Sequence, residues 1–377
     1  MANSYYDTPV VFITGATGNL GGRLIGDLLT AHRGAQVVAL VRAEDRRHAD
    51  RRLSDTIRRL VPESLTTGHA ARLQTVLGDV TRPRLGLSPK CYDELAGRVT
   101  HIIHAAANTQ FHVSYTQAFS ANCGGTRRML EFARDAHACG RLNQYSHVST
   151  AYVCGGRQGT IGEDELECGQ SFVNAYEETK FEAERMVHGN AAEVPTRIFR
   201  PSIIVGDSVH GRTQSFQVLY MPLRLICDGL TDVLPGEPGA TLDIVPLDYV
   251  SESILRLTLD DSVPEGETYH LVAGPDETAT VDQIVRRAVS HFRVALPAGT
   301  VRYVQPEWWP NRAGGHLSRY VQRVLSLYRP YMSAYRHFDD VHSRSAGLHA
   351  PPVSSYLDRL LTYCADTCWG RQQRLAA

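Results

Sequence analysis

Short apolar runs alternate with helix-like stretches from Val10 to Val205. The runs are rich in β-branched and aliphatic residues, as buried strands are. They are Val10–Thr14, Gln36–Val41, Leu73–Leu77, His101–His104, Tyr145–Thr150 and Arg197–Val205. Because strands alternating with helices build βαβ units, the pattern predicts an α/β fold with a doubly wound parallel sheet. The loops after the strands then share one edge of the sheet, where ligands bind.

A glycine-rich turn directly follows the first run. Thr14-Gly15-Ala16-Thr17-Gly18-Asn19-Leu20-Gly21 spaces its glycines three residues apart at the start of a predicted helix. Glycines let the backbone approach a pyrophosphate, whose charge is held at the helix N-terminus. The turn therefore predicts a Rossmann-type dinucleotide site. Its expected cofactor contacts are Thr14, Gly15, Thr17, Gly18, Asn19, Leu20 and Gly21.

The residue expected to meet the adenosine ribose is basic. Arg42 directly follows the second run, about 20 positions past the last glycine, where an acidic residue would bind the ribose of NADH. A guanidinium there matches a 2′-phosphate by bidentate pairing. The sequence thus favours NADPH over NADH, although Glu44 and Asp45 lie close by.

Tyr176 and Lys180 are four residues apart and follow Ser149-Thr150 at the end of the fifth run. On a helix they share one face, so the ammonium is expected to lower the pKa of the phenol, which is about 10 when unperturbed. The Thr150 hydroxyl would stabilise a carbonyl oxygen as charge develops on it. These groups suit the protonation of a carbonyl that receives hydride. A Tyr-x-x-x-Lys pair alone is also typical of an exposed helix face.

The sequence resembles the extended short-chain dehydrogenase/reductases, and within them the thioester reductases and fatty acyl-CoA reductases of the male-sterility-like branch. The resembling segments lie between Val10 and about Ala273. They are VVFITGATGNLGG, VVALVRAED, GDVTRP, THIIHAAANTQF, ANCGGTRRMLEFA, YSHVSTAYV, NAYEETKFEAERMV, TRIFRPSIIVGD and LDIVPLDYV. A weaker similarity, YRPYMSAYRHFDD at 328–340, is to the C-terminal region of acyl reductases.

This resemblance implies a catalytic triad of Thr150, Tyr176 and Lys180, with Lys180 orienting the nicotinamide ribose. It also implies further cofactor contacts beyond the glycine turn. These are Arg52 at the phosphate, Asp79 at the adenine, Val80 next to it in the sequence, Ala105, Ala106 and Ala107 beside the nicotinamide ribose, and Pro201 and Ile203 at the end of the sixth run. His104 either polarises a bound group or bonds to backbone, and Asn122 either relays protons or braces the fold.

The implied reaction is NADPH-dependent reduction of an acyl thioester, bound to a carrier protein or to coenzyme A, to an aldehyde or onward to an alcohol. Because fold does not settle substrate, reduction or oxidation of a simple ketone, alcohol or nucleotide sugar is an alternative. A non-catalytic NADPH-binding sensor is a second one, although such proteins typically lose the tyrosine or the lysine.

The alternating pattern changes beyond Asp207, where prolines and glycines interrupt the chain until LDIVPLDYV returns to sheet-like sequence. Val281–Phe292 and Leu317–Tyr331 then follow helical spacing. We expect an NADP-binding domain of residues 1–206 with a return segment at 241–273. Residues 207–240 and 274–377 would form a smaller, mainly helical substrate-binding lobe.

Bulk composition excludes several classes of protein. The formal net charge of -1 and hydrophobic fraction of 43% give no basic excess for nucleic-acid binding. We expect no secretory signal, and the sequence has no apolar run of the ~18 residues that a membrane-spanning helix needs. Its eight cysteines lack metal-ligand spacing. We therefore expect a cytoplasmic protein with reduced thiols and no metal site.

Arginines are concentrated between positions 42 and 59, interspersed with acidic residues. Such a segment is either a solvated helix face or a docking surface for an acidic carrier protein or the phosphates of coenzyme A.

Overall fold

The computed structural model describes residues 8–32, 34–62, 70–275, 277–309 and 317–371. The chain divides into two compact units. The first unit comprises Met1–Val153, Asn174–Arg200 and Val250–Tyr269, and the second comprises Cys154–Val173, Pro201–Tyr249 and His270–Ala377. Compactness does not report what a unit binds, so the predicted NADP-binding domain and substrate-binding lobe stay predictions.

Most of the predicted strand bounds agree with the strands in the structure. In chain order they are β1 Val10–Thr14, β2 Gln36–Val41, β3 Leu73–Leu77, β4 His101–His104, β5 Gln144–Val148, β6 Gly159–Ile161, β7 Thr196–Pro201, β8 Ile203–Val205, β9 Val233–Pro235, β10 Thr241–Leu242, β11 Ile244–Pro246, β12 Thr268–Leu271, β13 Ala279–Thr280, β14 Arg302–Val304 and β15 Arg336–Phe338. The first four agree residue for residue with the sequence prediction.

The helices follow the strands as the alternating pattern predicts. In chain order they are α1 Asn19–Ala31, α2 Arg46–Leu60, α3 Pro89–Ala96, α4 Tyr115–Phe119, α5 Gly125–Ala138, α6 Ala175–His188, α7 Tyr220–Cys227, α8 Leu247–Leu259, α9 Val281–Phe292, α10 Arg319–Tyr328, α11 Val341–Ser345 and α12 Leu357–Asp366. A π-helical turn, Ser120–Gly124, joins α4 to α5. Within the described ranges, no helix is both long and apolar enough to span a bilayer.

Seven strands form one sheet in the order β12-β7-β5-β4-β1-β2-β3. The pairings of β1 with β2 and β4, of β2 with β3, and of β5 with β4 and β7 are all parallel. The chain order reverses between β1 and β4, which is the switch point where open α/β sheets bind ligands. The predicted Rossmann-type sheet is therefore confirmed.

Side chains on both faces of this sheet are buried, as is usual for parallel sheets, and their packing stabilises it. All of β1 is buried, and the Phe12 ring lies 5.1 Å from the ring of Phe132 on α5. The Phe132 ring in turn meets Tyr92 of α3 edge-on at 5.2 Å. Each such aromatic side chain contributes about 1.5–3 kcal/mol when removed from water. This packing fixes the strand whose end carries the glycine turn.

Two predicted strand ends are wrong. The fifth strand stops at Val148 instead of Thr150, because the backbone turns into a 3₁₀ turn at Ala151–Cys154. The predicted run Arg197–Val205 is two strands that separate after Pro201, which has no N–H group to continue the pairing. Thereafter Ile203 pairs with Ile244 on β11.

The second unit is mainly helical, as predicted, with short two-stranded pairings between its helices. Helix α9 has the predicted bounds. Helix α10 is shorter than the predicted Leu317–Tyr331, because Ser318 caps its N-terminus and Arg329–Tyr331 form a 3₁₀ turn.

Candidate active site

The glycine turn between β1 and α1 excludes side chains from its backbone. Gly15 has a φ of +72°, and a Cβ there would lie 2.6 Å from the Ala105 carbonyl oxygen. A Cβ at Gly21 would lie 2.2 Å from the Gly15 carbonyl oxygen. The N-cap residue of α1 is Gly18, which offers no side chain to the first-turn N–H groups. These groups and the positive helix end suit the pyrophosphate of a dinucleotide.

A buried side-chain network joins this turn to the loop after β4. Thr14 Oγ1 accepts a hydrogen bond from Ala106 N at 3.2 Å and lies 2.7 Å from His104 Nδ1. Since Thr126 Oγ1 donates to the Asn122 carbonyl at 2.6 Å, it accepts from His104 Nε2 at 3.2 Å. Burial, with the charge of Lys180, lowers the pKa of His104 to about 3. The neutral imidazole therefore links the end of β1 to helix α5, through threonine side chains instead of backbone.

The loops after β2 and β3 bring the predicted adenosine contacts together. Arg52 donates to the Arg42 carbonyl and, at 3.2 Å, to Thr17 Oγ1 of the glycine turn. The exposed Arg42 guanidinium has Nη1 3.9 Å from Asp79 Oδ2. Val80 lies against the start of α5, where a Cβ at Gly125 would be 3.0 Å from Val80 Cγ2. The Arg52 guanidinium thus lies beside the glycine turn, and the Arg42 guanidinium lies beside Asp79.

The predicted Thr150 and Tyr176 side chains meet at the end of β5. Tyr176 is on the first turn of α6, whose N-terminus is capped because Glu177 N donates to Asn174 Oδ1 at 3.0 Å. A hydrogen bond joins the hydroxyl of Thr150 to the phenol of Tyr176. The ring centroids of Tyr176 and Phe111 are 5.9 Å apart. The two hydroxyls can therefore hold one oxygen atom between them.

Lys180 lies one turn further along α6 and is buried. Its Nζ donates to the Val148 carbonyl at 2.7 Å and lies 3.3 Å from His147 Nε2. Across the described ranges these are the hydrogen-bond partners of the amine, and Tyr176 is not among them. Burial lowers the pKa of Lys180 to about 8, against the charge of Glu184 and of Cys123.

The predicted lowering of the phenol pKa is wrong in this structure. Burial raises the pKa of Tyr176 to about 12, which the hydrogen bond from Thr150 only partly opposes. Lys180 is not among the groups that shift this pKa, and its ammonium donates to the Val148 carbonyl of β5. Tyr176 is consequently a protonated phenol at neutral pH, ready to donate its proton.

A buried ion pair that the sequence analysis missed supports the end of β5. Arg200 donates to Glu184 Oε1 from Nε at 2.8 Å and from Nη2 at 2.6 Å, and Ser149 Oγ donates to Glu184 Oε2. Although burial alone would raise it, the pKa of Glu184 falls to about 2 because Arg200 compensates its charge. Two signals were available: Glu184 follows Lys180 by four residues, and Arg200 interrupts an apolar strand.

Asn122 braces helix α6 from the π-helical turn. Its Nδ2 donates to Thr179 Oγ1 at 2.9 Å and to the Asn108 carbonyl at 3.3 Å, and its Oδ1 accepts from Asn108 N at 2.7 Å. These contacts favour the bracing role for Asn122 over a proton relay.

Pro201 and Ile203 belong to the second unit, at the end of β7 and the start of β8. Their predicted cofactor contacts stay predictions. The same unit contains an apolar cavity lined by side chains that include Leu219, Leu223, Val281, Ile284, Tyr328 and Met332.

The comparisons with known proteins identify a family for most of the chain. The family model described as male sterility protein matches residues 13–254. The chain is 30% identical over 280 residues to a linear gramicidin synthase of Brevibacillus parabrevis, covering 72% of this chain and 5% of that protein. It is 25% identical over 295 residues to the fatty acyl-CoA reductase wat of Drosophila melanogaster, covering 70% of this chain and 56% of that protein.

The fold agrees with a solved structure over nearly its whole length. The terminal R domain from the myxalamid PKS-NRPS biosynthetic pathway superposes with a TM-score of 0.79 at 26% identity, covering 97% of this chain and 92% of that one. The chain thus spans only part of the curated relatives it matches, but almost all of this single domain.

Proposed function

This chain belongs to the male sterility protein family, and on that premise we propose that it is an NADPH-dependent reductase of acyl thioesters. The observation that carries the proposal is the hydrogen bond between Thr150 and Tyr176, with Lys180 on the next turn of α6. These residues follow β5, at the sheet edge that also carries the glycine turn after β1. The name of the Drosophila relative, a fatty acyl-CoA reductase, supports the substrate class.

The residues around the glycine turn fit NADPH. Gly15, Gly18 and Gly21 would admit the pyrophosphate to the backbone, since a Cβ at any of them meets Gly15 or Ala105. Arg42 and Arg52 would hold the 2′-phosphate, which NADH lacks. When bound, the reduced dinucleotide supplies a hydride to the carbonyl carbon of the thioester.

The chain's own residues then stabilise the negative charge on the carbonyl oxygen and supply its proton. Thr150 and Tyr176 hydrogen-bond to the carbonyl oxygen as negative charge develops on it. Because the pKa of Tyr176 is about 12, the phenol is protonated and donates its proton to that oxygen. The product is a hemithioacetal, which expels the thiol and leaves an aldehyde. Lys180 would hydrogen-bond to the nicotinamide ribose, and its positive charge beneath the phenol would offset the negative charge that develops there.

The donor in this proposal is a thioester of a carrier protein or of coenzyme A. The apolar side chains that line the cavity of the second unit are of the kind that contact an aliphatic acyl group. On α2, Arg46 and Arg58 pair with Asp50 and Asp55, whereas Arg51 is exposed on the same helix. Exposed arginine is suited to an acidic carrier or to phosphates, and we include this docking role in the proposal.

The test combines substrate and mutant. Protein is incubated with NADPH and a panel of acyl-CoA and carrier-bound thioesters, while NADPH oxidation, free thiol and the aldehyde or alcohol are measured. Tyr176→Phe should abolish turnover and leave NADPH affinity nearly unchanged, because only the proton donor is removed. Unchanged turnover in this variant would contradict the mechanism. NADPH oxidation on ketones or sugars without thiol release would instead identify the alternative reductase, and NADPH binding without any turnover would identify a sensor.

A further inference from the structure

His147 is a fully buried histidine on β5 that contacts the predicted catalytic lysine. Its Nε2 lies 3.3 Å from Lys180 Nζ. Its ring is 5.6 Å from the ring of His104, the histidine that links the end of β1 to helix α5. Among the described residues, its other ring nitrogen, Nδ1, has no hydrogen-bond partner.

The charge of Lys180 determines which nitrogen of His147 carries the proton. Burial, and then the lysine charge, lower the pKa of His147 well below its usual value, so the ring is neutral. A neutral imidazole offers one N–H and one lone pair, whereas an ammonium group can only donate. Nε2 must therefore be the acceptor, and the proton is on Nδ1.

This tautomer leaves a buried N–H without a partner, which is unfavourable for folding. A phenylalanine or leucine would fill a buried site without that penalty. The free-energy cost of the unpaired N–H is offset by the hydrogen bond that Nε2 accepts from Lys180. That hydrogen bond is what a histidine provides at this position and an apolar residue does not.

Two consecutive residues of β5 then fix the ammonium. Lys180 Nζ has three N–H groups, of which one donates to the Val148 carbonyl at 2.7 Å and a second points to His147 Nε2. The remaining N–H is the one available for a ribose hydroxyl of the dinucleotide.

We propose that His147 is a positioning residue of this reductase, which orients the Lys180 ammonium and stabilises its charged form by accepting its hydrogen bond. The inference rests on the proposed function only in assigning Lys180 to the nicotinamide site. His147 acts through Lys180 and is not placed in contact with substrate or cofactor.

Every titratable group facing Lys180 bears on the expected pH dependence. Glu184 on the same helix and Cys123 on the π-helical turn raise the pKa of Lys180, and burial lowers it to about 8. His104 and His147 approach from β4 and β5, and both are neutral. Removing the acceptor at position 147 should lower the Lys180 pKa further, because only the charged form makes full use of that hydrogen bond.

The experiment measures NADPH affinity against pH, by fluorescence titration between about pH 6 and about pH 10, without any thioester. Affinity should weaken as pH rises through the Lys180 pKa near 8, because the neutral amine binds ribose less well. In His147→Phe this midpoint should fall by about one pH unit, the size expected of one charge-assisted hydrogen bond. His147→Gln, whose amide oxygen can accept, should restore much of the shift.

His101→Phe is the matched control, because His101 is also a buried strand histidine with an unpaired ring nitrogen. It should keep the wild-type midpoint. If thermal unfolding shows that His147→Phe does not fold, His147→Leu removes the same acceptor. An unshifted midpoint in the Phe or Leu variant overturns the inference, as does an equal shift in His101→Phe. Thioester turnover is measured separately: a shifted midpoint without turnover refutes the proposed substrate and leaves the role of His147 intact.

Discussion

Replacing Arg200 with methionine would leave the Glu184 carboxylate buried without its counter-ion. Both side chains are almost completely removed from solvent, with relative exposures of 1% for Arg200 and 0% for Glu184. A carboxylate of unfolded chains titrates near about 4.3, and the pKa of Glu184 falls to about 2. At about 1.4 kcal/mol for each pKa unit, the native environment favours the ionised Glu184 by about 3 kcal/mol.

We therefore expect Arg200→Met to lower the free energy of unfolding by about 3–5 kcal/mol at pH 7, the usual effect of breaking a buried pair. The sign with pH follows from the lowered pKa. Stabilisation by ionised Glu184 is present above the unfolded-state pKa and is lost as pH falls toward the folded value of about 2. The difference in the free energy of unfolding between wild type and Arg200→Met should consequently become smaller as pH is lowered.

Urea unfolding at several pH values measures both effects. Asp50→Asn is the matched control, because it breaks the exposed Arg46–Asp50 pair and should change stability by about 0–1 kcal/mol. The double variant Glu184→Met/Arg200→Met should be less destabilised than the sum of its single variants, since it leaves no unpaired charge. A loss below about 1 kcal/mol for Arg200→Met, or strict additivity of the two changes, would refute the reasoning.

Two further predictions concern the cofactor site. Gly21→Ala should weaken NADPH binding at least about tenfold, because its Cβ would lie 2.2 Å from the Gly15 carbonyl oxygen, whereas Gly34→Ala, which has nothing within 4 Å, should bind normally in the same titration. Arg52→Met should weaken NADPH about tenfold and NADH less than about twofold, because only NADPH carries the 2′-phosphate with which this guanidinium would pair. Arg51→Met on the same helix is its control, and equal losses for both dinucleotides would contradict the assignment.

The sheet could be predicted from the sequence because each strand is recognisable from its own short segment. Each run from β1 to β4 is a short segment rich in aliphatic residues, and three of the four are followed directly by a glycine or an arginine, so these ends are visible in the sequence itself. The predicted fifth run is two residues too long at its end because Ser149 and Thr150 continue its β-like pattern. Ser149 N still donates to the Phe199 carbonyl at 2.7 Å, but the chain turns immediately afterwards.

The electrostatics of the site could not be predicted from spacing. The i, i+4 rule correctly places Tyr176 and Lys180 on one helix face, yet the pKa of each depends on burial and on partners from other strands. Val148 and His147 accept hydrogen bonds from the Lys180 ammonium because β5 packs against α6. That neighbour relation is a property of the packed sheet, which no local pattern contains.

One face of α6 links the reacting group to the core of the first unit. Tyr176, Lys180 and Glu184 succeed one another at four-residue intervals, and each contacts the last residue of β5 or one of the two residues that follow it. Tyr176 meets Thr150, Lys180 meets Val148, and Glu184 receives the hydroxyl of Ser149. Because Arg200 holds Glu184 from β7, a shift of the helix along its axis would break three polar contacts together. The buried charge two turns away therefore helps to fix the phenol against the threonine, so loss of the Glu184–Arg200 pair should lower turnover as well as stability.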